Sequence, residues 1–251
     1  MPRTIPRTLP LGLVAILATA GSVAAQEINT GPPNPALNLT TTGFGRAAAN
    51  SYLSMGQSFL VPAGGFTQLT SFDFWMRGTA TTPGSVPYRA YIFAWDASTA
   101  RLSGGPLFRS DAQSFVGPAA NTPVSFATGG VNLTAGQSYI AVLSAVEFAD
   151  APLGVRGGPV YTTSWPASSY AGGSAFEAFS PSTGLAGLGS VGWRTIGANE
   201  GNWDVAFVAR FSSTDQPPPT VVPEPATVLL LAGGLLGVGA AARRRQALHR
   251  S

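Results

Sequence analysis

"YRAYIFAWD", residues Tyr88 to Asp96, is the stretch whose reading decides the fold. Taken with a period of two, it sets Tyr91, Phe93 and Trp95 on one side and Ala90, Ile92 and Ala94 on the other. Both sides are apolar. That is the pattern of a central strand covered on both faces, and it requires a second layer of structure on each side of its sheet.

The neighbouring runs extend this reading. In "FTQLTSFDFWMRG" (Phe66 to Gly78), Phe72, Phe74 and Met76 alternate with Ser71, Asp73, Trp75 and Arg77, which predicts one core face and one face carrying Trp75 between opposite charges. "QSYIAVLSA" (Gln137 to Ala145) is apolar on both sides, like the opening stretch. "WDVAFVARF" sets Trp203, Val205, Phe207, Ala209 and Phe211 against Asp204, Ala206, Val208 and Arg210. Shorter runs fit strands at "GQSFLV", "PLFRSDAQSF" and "TPVSFAT". Long segments of helical period are missing from the body of the chain, and its 31 glycines and 21 prolines supply turns. The expected fold is all-β: a two-sheet, jelly-roll-like β-sandwich of about eight or nine strands. No internal repeat is visible, which argues against a solenoid or propeller.

Composition removes several chemistries. The 251 residues contain no cysteine, which excludes disulfides, thiolate metal sites and cysteine nucleophiles. The only histidine, His249, lies two residues from the C-terminus, so a histidine base or multi-histidine metal site is out of reach. Lysine is absent, and all 14 basic residues are arginine. The net charge of +3 comes from the ends: Arg3 and Arg7 at the front, Arg243, Arg244, Arg245 and Arg250 at the back. Between Gln26 and Gln216 acids outnumber arginines, so no basic groove for nucleic acid is expected.

The two ends read as addresses. Arg3 and Arg7 precede an apolar stretch from Leu11 to Ala20 and a small-residue region ending Val23-Ala24-Ala25, the form of a signal peptide cut to release Gln26. At the other end, the Pro-rich linker "QPPPT" (Gln216 to Thr220) leads to Pro223-Glu224-Pro225, then an uncharged run from Ala226 to Ala242, then the arginine triplet. At 1.5 Å per residue that run reaches the lower limit for crossing a hydrocarbon core of roughly 30 Å. The arginines would stay cytoplasmic and leave the rest of the chain outside, so transient inner-membrane insertion is expected.

Val222-Pro223-Glu224-Pro225, the apolar run and the arginine cluster resemble the PEP-CTERM sorting signal of Gram-negative bacteria. The resemblance implies recognition by an exosortase, a membrane transpeptidase acting near Pro-Glu-Pro, in bacteria that make exopolysaccharide and biofilm matrix. Pro223, Glu224, Pro225, Arg243, Arg244 and Arg245 are then what other machinery reads. The motifs "GQSFLVPAGGFTQLTSFDFWMRG", "YRAYIFAWDASTARLSGGPLF", "GGVNLTAGQSYIAVLS" and "WDVAFVARF" further resemble a secreted bacterial jelly-roll module found beside such signals. That resemblance implies a fold and no activity. The expected organisation is a signal peptide at 1–25, a partly irregular lead-in at 26–54, the β-sandwich at 55–213 and a Pro-rich linker at 214–221. The sorting signal follows at 222–246, with its transmembrane helix at 226–242, and then a cytoplasmic tail at 247–251.

The segment from Asp150 to Asn202 is the least regular, with Tyr161, Trp165, Tyr170, Phe176, Phe179 and Trp193 among glycines and serines. Long irregular stretches on β-sandwiches are binding loops or covers for an open end. As a binding surface this one suits carbohydrate, whose C–H faces stack on rings, and the residues to carry it are Trp165, Tyr170 and Trp193. As a cover, the same rings are core. A polysaccharide hydrolase would need two carboxyls about 5 to 10 Å apart. Glu147, Asp150, Glu177, Glu200 and Asp204 are available, but no pairing is discernible. Calcium would suit an extracellular β-domain, yet no Asp-x-Asp-x-Asp-Gly loop occurs, and Asp96 and Asp150 read as turn residues. No other cofactor is indicated. A serine nucleophile lacks its histidine, and the Asn-Leu-Thr triplets at Asn38 and Asn132 carry little weight in a bacterial export context.

The leading expectation is an exported, sorted surface or matrix protein with a non-catalytic β-sandwich. Its processing partners are signal peptidase and exosortase, and exopolysaccharide is its expected surroundings. Carbohydrate binding through residues 161–203 is the alternative, and polysaccharide hydrolysis through Glu147 and Glu200 a further one.

Overall fold

The computed structural model describes residues 25–31, 44–78, 85–116, 121–151, 153, 156–159, 161–162, 170–196 and 203–213. The signal segment, the linker, the sorting signal, Trp165 and Glu200 lie outside them. In chain order the strands are β1 (Ala25–Asn29), β2 (Phe44–Ala48), β3 (Ser51–Leu60), β4 (Gln68–Gly78), β5 (Val86–Asp96), β6 (Arg101–Arg109), β7 (Gln113–Phe115) and β8 (Thr122–Asn132). They continue as β9 (Ser138–Ser144), β10 (Arg156–Pro159), β11 (Tyr161–Thr162), β12 (Ala175–Ser180), β13 (Arg194–Thr195), β14 (Asp204–Val205) and β15 (Phe207–Ser212). A six-residue helix, α1 (Leu185–Ser190), lies between β12 and β13.

Thirteen strands form one antiparallel sheet along the path β1-β15-β4-β10-β2-β3-β9-β5-β6, with β8 on the free side of β4, β12 on the free side of β3 and carrying β13, and β7 continuing the outer edge of β5; β11 and β14 pair in a separate two-stranded sheet. The short β10, paired with both β4 and β2, joins the two halves. The path folds over so that β1, β15, β4 and β8 face β3, β9 and β5 across a shared core. Phe59 of β3 meets Phe207 of β15 at 5.8 Å between ring centroids, and Phe72 of β4 meets Phe108 of β6 edge-on at 5.7 Å. The arrangement is a nearly all-β sandwich, as the alternation predicts. Its sheet also takes in β1, β2 and the start of β3, ahead of the expected boundary at residue 55.

The strand registers match the faces read from sequence. Phe72, Phe74 and Met76 are fully buried in this core, together with Val205, Phe207, Ala209 and Phe211. On the opposite face of β4, Asp73 is buried and takes a 2.6 Å bond from Arg210 Nη1. β5 and β9 are covered on both faces. Ala90, Ile92, Ala141 and Leu143 point into the shared core, while Tyr91, Phe93, Trp95, Ile140 and Val142 form a second cluster on the outer side. Phe176, Ala178, Leu188 and Trp193 close that outer cluster, so the second cover is β12 with the segment after it, α1 included. Gly56 of β3 lets this cluster form. A Cβ there would stand 2.6 Å from the Ala141 carbonyl oxygen and 3.0 Å from the Ile140 side chain.

Candidate functional site

The aromatic segment is placed largely as a cover. Trp193 is 5% exposed, and its ring meets Trp95 edge-on at 6.2 Å, while Phe176 packs on the same Trp95 at 4.6 Å. Its backbone N–H donates to the Ala100 carbonyl at 3.0 Å, which ties the segment to the β5–β6 turn. Trp193 thus presents no ring face to a ligand. Tyr170 is half-buried; its hydroxyl lies 3.0 Å from Leu60 N, which donates to it, and 3.3 Å from the Leu60 carbonyl. Burial pushes that hydroxyl above the ordinary tyrosine range. Among the described rings of the set Phe179 is the exposed one, at 41%, with the Arg194 guanidinium 5.3 Å over its face.

Beneath Tyr170 lies a buried polar node that the sequence did not disclose. Gln57 and Asp204 are both fully buried. Gln57 Nε2 donates to Asp204 Oδ1 at 2.7 Å and to the Ser58 carbonyl at 3.1 Å, while its Oε1 accepts from Val205 N at 3.0 Å. Asp204 Oδ2 accepts from Tyr170 N at 3.1 Å. Ser58 Oγ accepts from Ser174 N at 2.9 Å, and Gly173 passes so close that a Cβ would stand 1.8 Å from the Ser58 carbonyl oxygen. The node anchors residues 170–174 and 204–205 to β3. Its partners lie 147 residues apart, so no local pattern could reveal it.

Of the acids considered for catalysis, Glu147, Glu177 and Asp204 are bonded inside the fold, Asp150 is exposed, and Glu200 lies outside the described residues. Glu147 is bracketed by two guanidiniums: Arg89 Nε stands 3.0 Å from Oε2, and Arg109 binds both oxygens through Nε at 3.1 Å, with Nη2 also on Oε2. The bond to Glu147 raises the Arg109 pKa. Burial is the main cause lifting the neighbouring Tyr91 hydroxyl well above its usual range, with Glu147 adding to it. Glu177 is ion-paired with Arg194 at 2.6 Å across β12 and β13. Asp96 accepts from Ser98 N and Oγ at 2.9 and 2.6 Å and from Thr99 Oγ1 at 2.7 Å, which holds its carboxyl down to about 2. Asp96 is therefore the turn residue the sequence suggested. Among the described residues, no three acidic or histidine side chains converge as metal ligands would.

Open clefts among the described residues include two along the sheet edges. One, of about 250 Å³, runs between the outer edges of the two layers and is lined by Phe108, Arg109, Ser110, Gln113, Ser125 and Phe126. The other, of about 660 Å³, opens at the end of β5 and β9, where Trp95, Asp96, Ser103, Gln137, Ser138 and Tyr139 line it. Among the described residues no helix is long and apolar enough to cross a membrane.

Comparison with known proteins places one part of the chain. Residues 221–245 match the PEP-CTERM protein-sorting motif. No curated protein matches the chain. The matched segment holds Pro223, Glu224, Pro225 and the arginines from 243 to 245, so the three-part resemblance read from the residues and the motif coincide. This motif marks an exported protein of Gram-negative type, processed by an exosortase and sorted to the cell surface.

Proposed function

We propose that the chain is a non-catalytic component of the cell surface or exopolysaccharide matrix. Its jelly-roll-like sandwich is released from a signal peptide (1–25) and delivered through the membrane-inserted sorting signal. The observation that carries this reading is the sorting motif at 221–245 joined to a domain most of whose described acids are bonded within it. Glu27, Asp73, Asp96, Glu147, Glu177 and Asp204 each have a structural partner inside the domain. Such a domain acts by being present, stable and correctly located. Incubating the purified domain with the host's own exopolysaccharide and assaying for new reducing ends tests the non-catalytic part. None are expected, and release abolished by Glu147→Gln would contradict it.

A second reading, glycan adhesion, is supported by the larger cleft, whose lining combines the polar Ser103, Gln137 and Ser138 with Trp95 and Tyr139. It differs from the expected Trp165–Tyr170–Trp193 surface, because Trp193 and Tyr170 are committed to packing and to β3. A glycan array with wild type and Gln137→Ala separates the readings. Binding lost in the variant supports adhesion, and no binding to any glycan removes it.

A further inference from the structure

Among the described residues lining the larger cleft, Asp96 alone carries a charge. The floor of the cleft is a row across three strands: Ser103 of β6 lies opposite Ala94 of β5, which lies opposite Tyr139 of β9. Directly opposed residues share a face of the sheet, and so do residues two apart on one strand. Asp96 therefore stands beside Ala94 on the cleft side, at the end of β5. One rim is the turn between β8 and β9, and its backbone is clamped. Gln137 N donates to the Thr134 carbonyl at 3.2 Å, while the Gln137 carbonyl accepts from Val61 N and the Val61 carbonyl from Gly136 N, both at 3.0 Å. Thr134 N donates to the Tyr139 hydroxyl at 3.0 Å. The exposed Thr134 and Gln137 are thus presented at the cleft on a fixed frame.

The charge on Asp96 is not neutralised. Its Oδ1 accepts from Ser98 N, Ser98 Oγ and Thr99 N at 2.9, 2.6 and 3.4 Å, and its Oδ2 from Thr99 Oγ1 at 2.7 Å. All four donors are uncharged. Arg101, opposite Asp96 in register, sends Nη1 to the Ser190 carbonyl at 3.2 Å, and among the described residues no ion pair reaches Asp96. Glu27, Asp73, Glu147 and Glu177, by contrast, each face an arginine. A carboxylate offers about four lone-pair sites, so Oδ2 keeps one for a ligand.

The cleft, of about 660 Å³, is within the usual range for small-ligand sites. A uronic acid entering it meets a like charge and no guanidinium in the described lining. A neutral sugar leaves the carboxylate to water. We propose that the cleft takes an amino sugar with a free amine, its ammonium on Asp96 Oδ2 and its hydroxyls on Ser103, Thr134 and Gln137. This names the ligand class of the glycan-adhesion reading and rests on that reading.

The test is calorimetric titration of the full chain in mild detergent, at low salt and pH about 6, where the ligand amine is a cation and Asp96 a carboxylate. Four probes are used: a glucosamine tetramer, its fully N-acetylated form, a glucuronic acid tetramer and tetralysine. The glucosamine tetramer should bind about fivefold tighter than its N-acetylated form, the upper reach of one exposed charge pair, and the uronic acid should bind weakest. Asp96→Asn, which keeps an acceptor for Ser98, should remove most of that preference. Asp111→Asn, at an exposed acid outside this cleft, should leave it unchanged. If circular dichroism shows Asp96→Asn unfolded, the order of the four probes on the wild type still decides. N-acetylated or uronic acid tetramers binding as tightly as glucosamine overturn the amino-sugar assignment and leave glycan adhesion standing. Tetralysine binding as tightly, or equal losses in the two variants, overturns it in favour of plain charge attraction. No binding of any sugar overturns both readings.

Discussion

Trp193 stands edge-on against Trp95, ring centroids 6.2 Å apart and planes at 87°. This contact joins an irregular segment to the outer face of the central strand. It turns one of the three candidate sugar-binding rings into part of a second core. Removing a buried tryptophan ring costs about 3–5 kcal/mol, so Trp193→Ala should lower the denaturant midpoint with little change in slope. An unaltered midpoint would mean that the segment does not hold this position in solution.

The Gln57–Asp204 bond predicts a buried polar penalty. Gln57→Leu leaves the Val205 N–H and the Asp204 carboxylate without their Gln57 partner, at about 1–3 kcal/mol for each such group. Hydrogen exchange should show the loss at Val205 and in β12 first. A variant as stable as wild type would contradict the anchoring role.

Glu147→Gln weakens the bracket formed with Arg89 and Arg109. Hydrogen bonds to charged groups are worth about 1.5–3 kcal/mol, so the variant should unfold at lower denaturant. Added salt should narrow the difference only modestly, since Glu147 is largely buried.

Asp96 gives a pH signature. Its folded pKa of about 2 lies below the ordinary 3.8, held there mainly by the Ser98 hydroxyl. A lowered pKa means the turn's contribution is complete above 3.8 and lost as pH falls through about 2. Carboxyl NMR should find Asp96 titrating near that value, and Ser98→Ala should raise it. At the alkaline end the sign reverses. Burial pushes the Tyr88 hydroxyl up to about 12, so stability from the neutral phenol is full below about 10 and falls as pH rises through 12.

The sequence made the sandwich legible where packing imposes a period of two. β5 and β9 read as doubly covered, and their two faces do split between two clusters. β4 read as one-sided, and its aromatic face meets that of β15 in the shared core. What escaped is non-local. β1 takes its place only by pairing with residues near 210, and Trp193 is fixed by Trp95 and the Ala100 carbonyl, none of which leaves a pattern in its own stretch. The acids look available for chemistry in sequence because their partners come from other strands: Arg89 and Arg109 for Glu147, Arg210 for Asp73.

The central claim is that the C-terminal segment decides where this self-contained domain goes. The most direct measurement is fractionation of a Gram-negative host expressing the chain with and without Pro223 through Arg245. The account predicts surface or matrix association for the intact chain. It predicts full release of an equally folded domain into periplasm or medium for the deletion. The same distribution for both chains would contradict it.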